Sequence, residues 1–146
     1  MDIRKLNDDF SVGQQIRTED VEKLAELGFK SIICNRPENE DANQPDFASI
    51  SKAAVDAGLN AHHIPVVPGG ITNHDINAFA LALSEFPAPI FAYCRTGTRA
   101  AALWALTEAG QGADIDPLIH DAALAGCDLG AMRPLLEATA KETAPR

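Results

Sequence analysis

Apolar residues recur along this chain in two rhythms. Short apolar or β-branched runs alternate, from residue 10 to residue 109, with longer stretches in which apolar positions return every three or four residues. Phe10–Gly13 reads as a short strand. The stretch T-E-D-V-E-K-L-A-E-L-G then predicts a helix capped by Thr18, with acids in its first turn and Gly28 at its stop. Ser31–Cys34 fits a buried strand. Polar residues and two prolines make Asn35–Pro45 a loop. Asp46 is placed to cap a second helix running through Ala57 to Gly58. His62–Val67 is the third strand, closed by Pro68-Gly69-Gly70. Thr72 caps a helix over Asn73–Glu85, and Pro89–Tyr93 is the fourth strand. A helix over Arg99–Ala109 follows, stopped by Gly110. Helices over Pro117–Ala125, with Asp116 as cap, and Ala131–Lys141 complete the chain, and Lys141–Arg146 reads as a frayed tail.

This alternation predicts an α/β domain with a mainly parallel four-stranded sheet flanked by helices. The 146 residues suit one domain, with an α/β core over 9–109 and C-terminal helices and tail over 110–146. Sites in such sheets form beyond the carboxyl ends of the strands.

Charge and composition narrow the function. The net charge of −9, with no Lys/Arg cluster, argues against a nucleic-acid partner. No stretch reads as a membrane span, and the first ten residues lack the apolar core of an export signal, so a cytoplasmic location is expected. Three cysteines and four histidines show no ligand spacing, so neither metal nor cofactor is expected, and no disulfide framework.

The chemistry concentrates in I-F-A-Y-C-R-T-G-T-R-A-A-A-L-W, residues 90–104. A buried strand ends at Cys94, a short Gly-containing turn follows, and a helix begins. A helix N-terminus offers unpaired N–H groups and the positive end of its dipole, so the turn is built to hold an anion. Gly97 allows close backbone approach. Arg99 can fork two oxygens of a tetrahedral oxyanion. The same field favours a thiolate, which makes Cys94 the nucleophile. Arg95, Thr96 and Thr98 are candidate anion ligands; Arg95 can equally face solvent, and Thr98 can equally cap the helix.

The loop C-R-T-G-T-R resembles those of two groups of cysteine enzymes. One is the tyrosine and dual-specificity phosphatases, with C-x5-R; here the Arg comes one residue early, and Ala100 follows it where those enzymes place Ser or Thr. The other is the rhodanese sulfurtransferases, whose loops often read C-R-x-G-x-R. The stretches D-F-S-V-G-Q-Q-I-R-T-E-D, L-G-F-K-S-I-I-C-N-R-P-E-N-E, A-G-L-N-A-H-H-I-P-V and Y-C-R-T-G-T-R are similar to the phosphatase-like domain of bacterial β-lactamase-hydrolase-like proteins, over about residues 9–109. The resemblance implies a dual-specificity phosphatase fold. Some relatives carry this domain fused to a metallo-hydrolase-like persulfide dioxygenase and are described as sulfurtransferases.

Phosphatases of that fold place an Asp general acid on a loop before the cysteine strand. The corresponding loop here, V-V-P-G-G-I-T over 66–72, has no acid. Asp75 reads first as a helix-turn acid, and His63 and His74 have nothing evident to position them. Glu38, Glu40 and Asp41 lie on the loop after the second strand, as catalytic groups or plain solvated charge. Sulfur transfer asks less of a proton donor, so the expected activity is a sulfurtransferase working through a Cys94 persulfide, with a small anionic donor and a thiol acceptor. The alternative is a phosphatase working through phosphocysteine, and the third reading is an oxyanion- or phosphopeptide-binding module. The resemblance also makes Cys34, in I-I-C-N-R with Arg36, an accessory residue that could form a reversible disulfide with Cys94; Cys34 equally reads as a small buried strand residue.

Overall fold

The computed structural model describes residues 1–143. Five strands form one sheet: β1 (Arg4–Asn7), β2 (Phe10–Gly13), β3 (Ser31–Cys34), β4 (Asn60–His63) and β5 (Ile90–Tyr93). Their order is β1-β2-β5-β3-β4, with β1 antiparallel to β2 and every other pair parallel. The sheet therefore has five strands, not four. β1 escapes a reading of apolar runs because its sequence is R-K-L-N and only Leu6 is buried. It exists because β2 offers it a hairpin partner.

Among the described residues six α-helices cover the two faces: α1 (Thr18–Glu26), α2 (Phe47–Asp56), α3 (Asn73–Glu85), α4 (Thr98–Gly110), α5 (Ile115–Leu124) and α6 (Arg133–Thr143). The two-residue period of the strands divides the core. Ile32, Cys34, Phe91 and Tyr93 face α1 and α2. Val12, Ile33, Ile90 and Ala92 face α3 and α4, with α5 and α6 packed outside them. α4 is buried nearly all round because α6 and α5 wrap it from without.

Several boundaries move from the expected ones for local reasons. The third expected strand, His62–Val67, is Asn60–His63; Pro65 has no N–H to continue a ladder. Beyond His63 the chain stays tied to the β3 extension by Ile64 N–H to Cys34 O (2.9 Å), Val66 N–H to Asn35 O (3.1 Å) and the Asn35 side-chain amide to Ile64 O (2.9 Å). Arg17, not Thr18, stands at the cap of α1, and its N–H donates to the Asp20 carboxylate at 2.9 Å. Asp46 caps α2 as expected, accepting from Ser49 N–H at 2.8 Å. α4 runs from Thr98 through Gly110, and the left-handed residue after it is Gly112 (φ 96°). α5 starts earlier than expected, with Asp114 rather than Asp116 at the cap and Pro117 in its first turn. A 3-10 turn, Gly130–Met132, precedes α6, which extends into the expected tail; residues 144–146 lie outside the described residues. Among the described residues no helix is long and apolar enough to cross a membrane.

Candidate active site

The carboxyl ends of β2, β3 and β5 converge where α4 begins. β5 is buried along its whole length and lies between β2 and β3, so it delivers Cys94 to the middle of that edge. The Cys94 N–H is held by Gly13 O at 3.3 Å. The side chain, 1% exposed, accepts the Gly97 N–H at 3.0 Å. Gly97 makes this turn: its φ of 94° is left-handed, and a β-carbon there would run into the Arg4 guanidinium. It is also the residue at the cap of α4, so Thr98 opens the helix rather than capping it.

Arg99 reaches from the first turn of α4 across to the β3–α2 loop. Nη1 donates to Val66 O (3.0 Å), Asn35 O (3.3 Å) and Glu40 Oε2 (3.1 Å), and Nη2 to Glu40 Oε1 (3.1 Å). Glu40 thus takes the end-on fork of the guanidinium. Among the described residues Nε makes no hydrogen bond, so the side-on edge, Nε with the second Nη2–H, stays available to an oxyanion.

Glu40 is also bound by Arg36, whose Nε donates to Oε1 at 2.9 Å. Arg36, 2% exposed, further donates to Gln15 Oε1 (3.0 Å) and Asp41 Oδ2 (2.5 Å). Burial pushes the Glu40 carboxyl up, but the Arg99 and Arg36 hydrogen bonds and charges outweigh it and hold the group below its ordinary value. The neighbouring acids have other duties. Asp41 takes Arg36, and Glu38 accepts the Phe47 N–H at 2.9 Å. Asn39, with φ 59°, turns the backbone between Glu38 and Glu40.

Arg4, on the strand missed in the sequence, braces the loop from below. It donates to Thr96 O, to Ala125 O (2.8 Å) and to Cys127 Sγ (3.5 Å), and its Nε pairs with Asp2 (3.1 Å).

The remaining candidates fall in several places. Cys94, Thr96, Thr98 and Arg99 line one cavity of about 390 Å³. Arg95 does not line it; its side chain is 65% exposed, with Nε 3.7 Å from Asp41. Asp75 completes a capping box with Thr72, Oδ2 accepting the Thr72 N–H at 2.9 Å. His63 Nε2 lies 2.7 Å from Arg36 O, and its ring stacks on Phe47. Neither borders the cavity. Cys34 lies opposite Tyr93 in the β3–β5 ladder, its Sγ 3.5 Å from Arg36 O, on the α1–α2 side of the sheet. Burial pushes both the Cys34 thiol and the Tyr93 phenol up. Among the described residues no group of three or more His, Cys, Asp or Glu side chains gathers to hold a metal.

The cavity continues outward from its polar floor. Ile71 precedes α3, Ala102 lies on α4, and Met132 and Leu135 come from the 3-10 turn and α6. No Asp, Glu or His is among its lining residues, so no carboxylic acid or imidazole is placed there to protonate a leaving group. A buried cysteine sulfur, a turn whose Gly97 N–H points at it and an Arg braced by Glu40 stand together; among the described lining residues a conventional proton donor does not.

Residues 2–111 match the family described as the phosphatase-like domain of β-lactamase-hydrolase-like protein. A β-lactamase-hydrolase-like protein of Agrobacterium fabrum is 39% identical over 108 residues, covering 74% of this chain and 25% of its own length. The chain spans about a quarter to a third of the curated relatives it matches. Among solved structures, a candidate phosphatase of Neisseria meningitidis Z2491 superimposes with a TM-score of 0.86 at 39% identity, covering 95% of this chain and 99% of that one. PTPMT1, solved in complex with PI(5)P, shares the fold with a TM-score of 0.79 at 14% identity, covering 98% of this chain and 97% of that one.

Proposed function

The chain belongs to the family of phosphatase-like domains of β-lactamase-hydrolase-like proteins, and from that premise we propose that it hydrolyses phosphomonoesters through a Cys94 phosphocysteine. The observation that carries this reading is that the Cys94 sulfur, which accepts the Gly97 N–H at 3.0 Å, lines one cavity together with Arg99, whose Nε makes no hydrogen bond among the described residues. The sulfurtransferase expected from the short loop and the missing acid gives way to this reading, because the family and the close structural neighbour are both phosphatase-like.

In the proposed reaction the Cys94 thiolate attacks phosphorus in line, and the alcohol oxygen leaves with the bonding electron pair. The N–H groups of the loop and the Arg99 edge hold the equatorial oxygens as charge spreads onto them. Water then attacks the phosphocysteine, phosphate leaves, and the thiolate is restored. With no acid in the cavity, weakly basic leaving groups such as phenols are favoured over alkyl alcohols.

That missing acid is also the one observation favouring the second reading, sulfur transfer, in which Cys94 takes a sulfane sulfur from a weakly basic leaving group and passes it to a thiol. One side-by-side experiment separates the two. Phosphate release from an aryl phosphate, lost in Cys94→Ser, with a trapped phosphocysteine on rapid quench, supports the phosphatase. Addition of one sulfur to Cys94 under excess thiosulfate or glutathione persulfide, without phosphate release, supports the transferase and overturns the phosphatase.

A further inference from the structure

The cavity above Cys94 has two unlike sides. The floor is polar, with the loop backbone, Thr96, Thr98 and the Arg99 edge. The outer wall is hydrocarbon, built by Ile71, Met132 and Leu135. Among the described residues Arg99 is the sole charged residue lining the cavity.

The wall is not a by-product of core packing. α6 buries Leu136 fully, yet holds its neighbour Leu135 at the cavity, 45% exposed. Other exposed apolar side chains, such as Leu27 at the cap after α1 and Leu124 on α5, sit apart from it, which is ordinary for a protein surface. Leu135 instead lines, with Met132 and Ile71, the same cavity as Cys94.

Charge then decides what fits. The single cation at the floor takes the anionic group. A second phosphate or a carboxylate farther along the ligand would meet no cation on the wall and would lose water against hydrocarbon. We propose that this wall selects phosphomonoesters with an uncharged, apolar body, and that Met132 and Leu135 are its specificity-determining residues. The inference rests on the phosphatase reading for the reaction, but not for the binding. Both residues lie beyond the stretch matched by the family model, so the selectivity is supplied by the C-terminal helical segment.

The test uses para-alkylphenylphosphonates, which bind without turning over, alongside the matching phosphates. Lengthening a para-alkyl chain barely alters the leaving group, so chain length reports the wall alone. Calorimetric Kd for the phosphonates should tighten about twofold per methylene, below the limit for full burial because only one side is covered. The butyl compound should thus bind about eightfold tighter than the methyl compound, and a para-carboxylate should weaken binding. Leu135→Asp and the milder Leu135→Asn should flatten the slope with melting temperature retained, whereas Leu124→Asp, remote from the cavity, should preserve it. A flat slope in the unmodified protein, or a slope that survives both folded Leu135 variants, overturns the proposal. If the slope is present but no phosphate ester releases phosphate, the phosphatase reading fails and the wall stands. If release depends on Cys94 but ignores chain length, the reading stands and the wall fails.

Discussion

Arg99 and Glu40 meet fork to fork, Nη1 on Oε2 and Nη2 on Oε1, both at 3.1 Å. The pair joins the start of α4 to the β3–α2 loop and fixes the guanidinium plane, with side chains only 10% and 20% exposed. Glu40 therefore aims Arg99 without occupying the edge that an oxyanion needs. In the proposed reaction it would act as a positioning residue rather than a catalytic one, since among the described residues it does not line the cavity.

Glu40→Gln keeps one acceptor but loses the charge and half of the fork. The expected loss is about 2 kcal/mol of transition-state stabilisation, or roughly thirtyfold in kcat/KM. The fall should lie mainly in kcat if Arg99 grips the transition state harder than the substrate. Steady-state kinetics on an aryl phosphate check it; unchanged kcat with a folded variant counts against the positioning role.

The Glu40 carboxyl also makes stability depend on pH. Burial raises it, and the Arg99 and Arg36 contacts lower it by more, so the folded value lies below the ordinary 4.5. The unfolded chain thus takes up the proton first as pH falls. The stabilisation is complete above the ordinary Glu value and is lost as pH drops through the folded one. Urea unfolding from neutral pH down to about pH 3 should show a shallower acid limb for Glu40→Gln than for the unmodified protein. Parallel limbs would remove Glu40 from the account.

Arg4 ties β1 to the Thr96 carbonyl and to the end of α5. Arg4→Ala should cost about 2 kcal/mol of stability by stranding those acceptors. More tellingly, it should weaken sulfate protection of Cys94 against iodoacetamide, because the loop N–H groups lose their fixed direction. Arg4→Lys, one donor group without the planar fork, should restore part of the stability and little of the protection. Full protection in Arg4→Ala would make Arg4 a fold residue only.

Much of the site was legible because its signal is local. A buried strand, a cysteine, a glycine needing positive φ and an arginine on the first helical turn are contiguous, and Gly97 and Arg99 stand where that pattern puts them. What escaped depends on tertiary partners. Arg4 sits on a strand with one buried residue, visible only once β2 pairs with it. Glu38, Glu40 and Asp41 look alike as sequence; the turn at Asn39 and the docking of α2 decide which one meets Arg99. The apolar wall needs α6 laid against α4, which no pattern within either helix specifies.

The last prediction concerns Cys34. β3 and β5 are neighbours, and Cys34 pairs with Tyr93, one residue before Cys94. Strand alternation, however, puts the Cys34 thiol among the residues facing α1 and α2, while Cys94 lines the cavity beside α4. Both cysteines are free thiols. The expected disulfide would form in one order. Peroxide oxidises the Cys94 thiolate to sulfenic acid; the Cys34 thiolate then attacks that sulfur, the S–S bond forms, and the oxygen leaves as water after taking a proton. Burial pushes the Cys34 thiol above its ordinary value, so the attacking species is scarce at neutral pH. The crosslink should therefore form more completely at about pH 9 than at pH 7, with Cys94 sulfinic acid as the competing product at the lower pH. Peptide mapping after mild peroxide, with and without dithiothreitol, reads both products. A dithiothreitol-sensitive Cys34–Cys94 peptide that increases with pH supports this order of events. Overoxidised Cys94 beside free Cys34 at both pH values shows that the two faces of the sheet keep the thiols apart.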